Sequence, residues 1–111
     1  MLKRERPERV VQRIAKTLAA SYHPERVILF GSRAGKTARR DSDIDLLIIK
    51  TTSQPFYRRL ADVRRLVSTV RRGYAFEPIV LTPTEVRRRL AIGDQFLKQI
   101  IDQGQVLYAS K

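Results

Sequence analysis

A chain of 111 residues, of which 42% are hydrophobic, five are glycine and five are proline, has the size and composition of one globular domain spanning residues 1–111. The absence of cysteine excludes disulfides and thiolate metal sites, and a single histidine disfavours a histidine-based zinc site. The net charge of +12 suits nucleic acid, nucleotide phosphates or an acidic partner, and equally a set of solvated, arginine-rich helix faces.

The first half of the chain predicts one helix and two strands. The opening segment lacks the apolar core of a secretion signal, and no run reaches the roughly 18 apolar residues of a membrane span, so we expect a cytoplasmic protein. Helical spacing of apolar residues, with Pro7 in the first turn, predicts a helix over residues 7–22. Residues 26–30, RVILF, predict a short buried strand ending at Gly31. Residues 43–50, DIDLLIIK, predict a second strand whose apolar continuity indicates a central position covered on both faces.

The segment 55–72 predicts a long amphipathic helix that ends at Gly73. The residues expected to face inward are Phe56, Leu60, Val63, Val67 and Val70. The arginines between them are expected to face water. A basic stripe of Arg58, Arg65 and Arg72, with Arg59 beside it, could meet an acidic partner or nucleic acid, although a solvated face is the default.

A third strand and a helix start follow. Residues 75–82, AFEPIVLT, predict a strand, and Pro78 within it indicates a sheet edge or a bulge. Thr82 and Glu85 have the spacing of a capping box, with a proline at the first helical position between them.

The remaining segments complete an α/β (α+β) pattern. A last helix is predicted over residues 94–103, with its stop at Gly104, and residues 105–109, QVLYA, can add a final short strand. Strands that alternate with helices predict a small sheet covered by helices.

The run GSRAGKT (31–37) is similar to the phosphate loop of an ATPase, but its spacing is wrong. That loop needs four residues between its glycines, whereas Gly31 and Gly35 have three between them. A phosphate loop also opens a long helix, and here a charged stretch leads into a strand. The run therefore needs another explanation.

Two aspartates at the start of the second strand suggest a metal site. Asp43 and Asp45 are two residues apart on a strand, so their carboxylates are expected to project from the same face. Two close carboxylates repel unless a cation lies between them, and Mg²⁺ takes one or two protein carboxylates plus phosphate oxygens. Upstream, the Gly31–Ser32 turn can bring backbone and hydroxyl groups to a phosphate. Solvated or salt-bridged acids are the alternative.

Gly31-Ser32, ten further residues, and then Asp43-Ile44-Asp45 resemble the G-S-x10-D-x-D signature of the minimal nucleotidyltransferases of the DNA polymerase β superfamily. The resemblance extends over most of the chain: leading helix, strand, Gly-Ser turn, D-x-D strand, long helix and third strand. It implies a single-domain nucleotidyltransferase fold with a small mixed β-sheet covered by helices. It also implies ATP as substrate and two Mg²⁺ ions, bridged by Asp43 and Asp45.

The family has a third metal-ligating acid on a later strand, in a pattern like V-D-V-I-V-L-T-P, and here FEPIVLTP takes that place. The resemblance therefore implies that Glu77 is the third catalytic carboxylate. Two departures stand against it: glutamate is one methylene longer than aspartate, and Pro78 alters the strand. A solvent-facing Glu77 is the alternative.

By the same resemblance, Gly31 and Ser32 hold the terminal phosphates. Arg33 and Lys36 could add positive charge at the pyrophosphate, or simply be solvated.

A chain this short has no separate domain to grip an acceptor, so a partner must present one. Members resembling this chain are commonly encoded with a HEPN-type ribonuclease toxin, and some act as antitoxins by transferring AMP to a tyrosine of that toxin. The resemblance thus implies a protein adenylyltransferase that forms an oligomer with its partner. Two alternatives stay open: a non-catalytic partner-binding subunit, and a small nucleic-acid-binding module.

Overall fold

The computed structural model describes residues 5–35, 37–39 and 41–111, which form four helices and four strands. The predicted α+β class is confirmed. In chain order the elements are α1 (Pro7–Ser21), β1 (Arg26–Phe30), β2 (Ile44–Ile49), α2 (Phe56–Val67), β3 (Phe76–Leu81), α3 (Pro83–Ala91), α4 (Gln95–Gln103) and β4 (Gln105–Ala109).

The strands form one mixed sheet in the order β3-β2-β1-β4. Strand β2 pairs antiparallel with β1 and parallel with β3, and β1 pairs antiparallel with β4. The predicted central position of β2 is confirmed. The edge position expected for the strand that contains Pro78 is also confirmed, because β3 lies at one side of the sheet.

The side chains of β2 supply the core on both faces of the sheet. Leu46 and Ile48 join a cluster with residues of α1 and α2, whereas Leu47 and Ile49 join a second cluster with residues of α3 and α4. Successive strand residues point to opposite faces, so a strand covered on both sides reads as a continuous apolar run. This explains why the sequence LLII could predict a doubly covered strand.

The prediction for α2 is wrong about where the helix ends and about the burial of Phe56. The helix stops at Val67, and residues 68–72 form turns closed by short-range bonds such as Val70 N–H to the Val67 carbonyl at 3.1 Å. Left-handed φ angles at Arg72 (51°) and Gly73 (81°) then lead the chain into the next segment. In the first turn, Phe56 is 47% exposed rather than inward-facing, and it belongs to neither core cluster.

Arg59 was expected to face water, and this too is wrong: its side chain is buried and 6% exposed. Its guanidinium forms an ion pair with Glu85 at 2.7 Å and donates to the carbonyls of Gln54 and Val80. Glu85 also completes the predicted capping box with Thr82. A planar guanidinium with several donors can satisfy all these acceptors at once, which makes burial possible. The pair therefore ties α2 to the start of α3.

None of the helices in the described part of the chain is long and apolar enough to cross a membrane.

Candidate active site

The Gly31–Ser32 turn lies directly against Asp45. Phe30, the last residue of β1, is the register partner of Asp45 on β2, so the end of one strand meets the start of the other. Gly31 has a φ of +76°, and a Cβ atom added there would run into Asp45 Oδ2. Glycine is thus required twice at this position, for its left-handed backbone and for the space that the carboxylate occupies.

Three carboxylates lie close to this turn, near the beginnings of strands β2 and β3. Because β2 and β3 run parallel, Asp45 and Glu77 are register partners near the beginnings of their strands. Asp43 precedes β2 by one residue and is exposed, whereas Asp45 is half-buried. The structure therefore places the three acids that the sequence singled out near the same ends of β2 and β3.

The electrostatics of Asp45 reflect this crowding. Burial raises the pKa of the Asp45 carboxyl, and the negative charges of Asp43 and Glu77 raise it further, while the Arg33 guanidinium acts in the opposite direction. A carboxylate that is costly to ionise beside two others favours a bound cation. The oxygen donors fit Mg²⁺, which needs only one or two protein carboxylates and completes its shell with water and phosphate oxygens.

Glu77, however, is oriented towards a different partner. Its side chain is 59% exposed and pairs with Arg64 at 3.7 Å, and Arg64 also donates to the Phe76 carbonyl at 3.2 Å. Within residues 5–35, 37–39 and 41–111, no group of three His, Cys, Asp or Glu side chains is arranged to hold a metal ion. Asp43 and Asp45 are thus the candidate ligands as they stand, and Glu77 would have to leave Arg64 to join them.

Arg33, expected to contact the nucleotide, is engaged within the chain. Its guanidinium donates two hydrogen bonds to the Ser42 carbonyl, at 2.6 and 3.1 Å, and lies 5.1 Å from the centre of the Tyr74 ring. These contacts hold the segment just before Asp43. Lys36, the other cation expected near the pyrophosphate, lies outside the described residues.

A cavity of about 520 Å³ opens between the Gly-Ser turn and α4. Ser32 and Asp45 line it, together with Phe96, Gln99 and Gln103 of α4. Nothing in the sequence pattern singled out these α4 residues, because exposed positions of a helix carry no sign of which loop they will face. Only the packing of α4 on the sheet brings them to the site.

Comparisons with known proteins agree with this fold. The family model described as "Polymerase beta, Nucleotidyltransferase" matches residues 12–111. A protein from Sulfolobus solfataricus assigned as a nucleotidyltransferase is similar at 29% identity, with 74% of this chain and 72% of that chain covered and a TM-score of 0.55. No curated protein matches the sequence.

Two further solved structures share the fold. A toxin–antitoxin structure with AMP-PNP has 20% identity and a TM-score of 0.62, with 90% of this chain and 74% of that chain covered. A mutant of the toxin–antitoxin MntA-HpeT, in which two aspartates two positions apart are glutamates, has 19% identity and a TM-score of 0.59, with coverage of 89% and 72%.

The mixed sheet and its covering helices define the nucleotidyltransferase class of fold. Since the family model matches 100 of the 111 residues (12–111), the chain belongs to the polymerase β nucleotidyltransferase family.

Proposed function

We propose that the chain is a Mg²⁺-dependent nucleotidyltransferase that transfers AMP from ATP to a protein hydroxyl, specifically a tyrosine of a HEPN-type ribonuclease toxin, and so acts as a cytoplasmic antitoxin. The observation that carries the transferase proposal is the contact between Asp45 and Gly31, with Asp43 and Glu77 close enough to raise the pKa of Asp45. This arrangement supports the proposal, because one nucleotide could reach both the turn and the carboxylates.

In the proposed reaction, Gly31 and Ser32 bind the terminal phosphates through backbone and hydroxyl groups, which exposes the α-phosphorus to the acceptor. Asp43 and Asp45 would hold Mg²⁺, and the bound ion would neutralise the negative charge that develops on the phosphate. The acceptor oxygen forms a bond to the α-phosphorus, and the bond to pyrophosphate breaks in line. Glu77, once released from Arg64, would accept the proton of the acceptor hydroxyl.

The partner is proposed on two grounds. The described helices and strands are all used to build the sheet and its two cores, so they leave no separate module to grip an acceptor. Two of the structures with this fold are toxin–antitoxin structures, one of them with AMP-PNP. A toxin that presents its own tyrosine would supply the missing acceptor, in a complex of the two proteins.

A second candidate is a non-catalytic subunit that neutralises its partner by contact. The ion pair between Glu77 and Arg64 favours it, because this pair engages the third acid with an arginine.

The deciding experiment follows label from α-phosphate-labelled ATP, with Mg²⁺, into proteins of an extract of the source cells. The test variant is Asp43→Asn/Asp45→Asn. The matched control is Asp62→Asn/Asp102→Asn, which removes the same charge from two acids in surface ion pairs of α2 and α4. A labelled band that the control keeps and the test variant loses would support adenylyl transfer and reveal the acceptor.

Two results would contradict the proposal. Mg²⁺-dependent ATP binding without any labelled protein would favour the non-catalytic subunit, and neutralisation of the partner would then survive in the Asp43→Asn/Asp45→Asn variant. Absence of ATP binding would exclude a transferase altogether.

A further inference from the structure

Helix α4 forms one wall of the cavity that the Gly-Ser turn also lines. The cavity of about 520 Å³ lies within the usual range of ligand pockets, about 300–1,000 Å³. Ser32 and Asp45, proposed above to meet the phosphates and the ion, are part of its lining. A nucleotide whose phosphates lie against them can extend its base over other lining residues, and α4 supplies several of these.

The wall is fixed in place. The Asp94 carboxylate caps α4 by accepting from the Leu97 N–H at 3.0 Å, and Leu97 and Ile100 are buried in the second core cluster. At the other end, a Cβ atom on Gly104 would run into the Ile100 carbonyl and Ile28 Cγ2. Because the helix is capped, anchored and closely apposed to β1, its exposed side chains are held at a defined position relative to the turn.

Phe96 is the aromatic group of this wall. Its ring is 57% exposed, although exposing a phenylalanine ring to water is unfavourable. It packs edge-to-face with Phe30, the residue just before Gly31, with ring centres 5.8 Å apart and an angle of 86°. An exposed ring anchored beside a phosphate turn offers a surface on which a base can stack, and stacking acts on every base alike.

Gln99 and Gln103 supply the polar groups. They are four residues apart, hence on one face of α4, and both are exposed and line the cavity. A glutamine amide offers one acceptor and two donors, which match the N6 donor and N7 acceptor of adenine. Guanine presents two acceptors at the corresponding edge and is best met by Arg or Lys. The lining of the cavity within the described part of the chain contains neither Arg nor Lys.

We propose that α4 is the base-recognition element of this protein: Phe96 stacks on the base, and Gln99 and Gln103 select adenine over guanine. This inference rests on the proposed function for the position of the phosphates and names the residues that would set the nucleotide specificity.

The test is equilibrium binding of ATP, GTP and inorganic tripolyphosphate by calorimetry, each with Mg²⁺, to the full chain. We expect Phe96→Ala to weaken ATP and GTP about tenfold and to leave tripolyphosphate unchanged. We expect Gln99→Ala/Gln103→Ala to remove most of the ATP-over-GTP preference, also without an effect on tripolyphosphate. The matched controls are Phe56→Ala, an exposed phenylalanine on α2, and Gln95→Ala, an α4 glutamine outside the cavity lining. Both should bind all three ligands as the wild type does.

The inference is overturned if the wild type binds ATP but no more tightly than tripolyphosphate, or if the Phe96 and Gln99/Gln103 variants match their controls. Either result leaves the transferase proposal standing. Conversely, the expected binding pattern without transfer of label would support α4 as the base-recognition element and contradict the transferase.

Discussion

Replacing Gly31 with alanine tests the geometry on which the site depends. A non-glycine residue in the left-handed region costs about 1–2 kcal/mol, so the Gly31 φ of +76° predicts a loss of that size in the free energy of unfolding. The added methyl would also occupy the space of Asp45 Oδ2, and the carboxylate must rotate away. We therefore expect a modest loss of stability and a much larger loss of Mg²⁺-dependent ATP binding, of at least tenfold.

Gly93→Ala separates these two effects. Gly93 has a φ of +85°, and a Cβ atom there would meet nothing within 4 Å. Urea denaturation should therefore show a similar shift for both variants, of about 1 M for a loss of 1–2 kcal/mol, while calorimetry should show impaired ATP binding for Gly31→Ala alone. Equal ATP affinity of the two variants would refute the idea that the turn leaves room for the Asp45 carboxylate.

Three further predictions concern charge and close packing. Glu85→Gln keeps a capping group but leaves the buried Arg59 without its counter-charge. We expect urea denaturation to show that the free energy of unfolding falls by roughly 2 kcal/mol. This is less than the cost of breaking a fully buried pair, because the Glu85 side chain is 36% exposed. Because the hydrogen bond from Arg59 lowers the pKa of Glu85, the ion pair should stabilise the wild type fully at pH values above 4.5, the ordinary pKa of a glutamate. This stabilisation should be lost as the pH falls through the lowered pKa of Glu85, and the Glu85→Gln variant should show no such loss. Asp45→Asn should stabilise the metal-free protein at pH 7. Burial raises the pKa of Asp45, so the wild type loses folding stability as the pH rises through that pKa, whereas asparagine carries no charge. A denaturation midpoint of the variant at or below that of the wild type would contradict this. Gly104→Ala should destabilise the fold by about 1–3 kcal/mol without strain in φ, because its methyl would separate α4 from β1, and an unchanged thermal midpoint would refute that close approach.

The order of elements could be read from the sequence because the signals are local. Period-3.6 apolar spacing marked α1, the capping box of Thr82 and Glu85 marked α3, and the unbroken apolar run of β2 marked a strand covered on both faces. The final strand and the sheet edge at Pro78 were predicted on similar grounds. The end of α2 was not, because the apolar spacing continues to Val70 in residues that form turns and still pack on the core.

The site could be predicted only in part, because local spacing can be read from the sequence and long-range packing cannot. The spacing of Gly31, Asp43 and Asp45 lies within one strand–turn–strand unit, so the sequence by itself determined that turn and carboxylates would meet. Contacts between distant segments depend on how helices pack, which no local pattern encodes. Only the tertiary structure decided that Arg59 is buried, that Glu77 faces Arg64, and that α4 closes the cavity. A side chain's partner across the fold is set by the packing of whole elements, and its own neighbours in sequence do not reveal it.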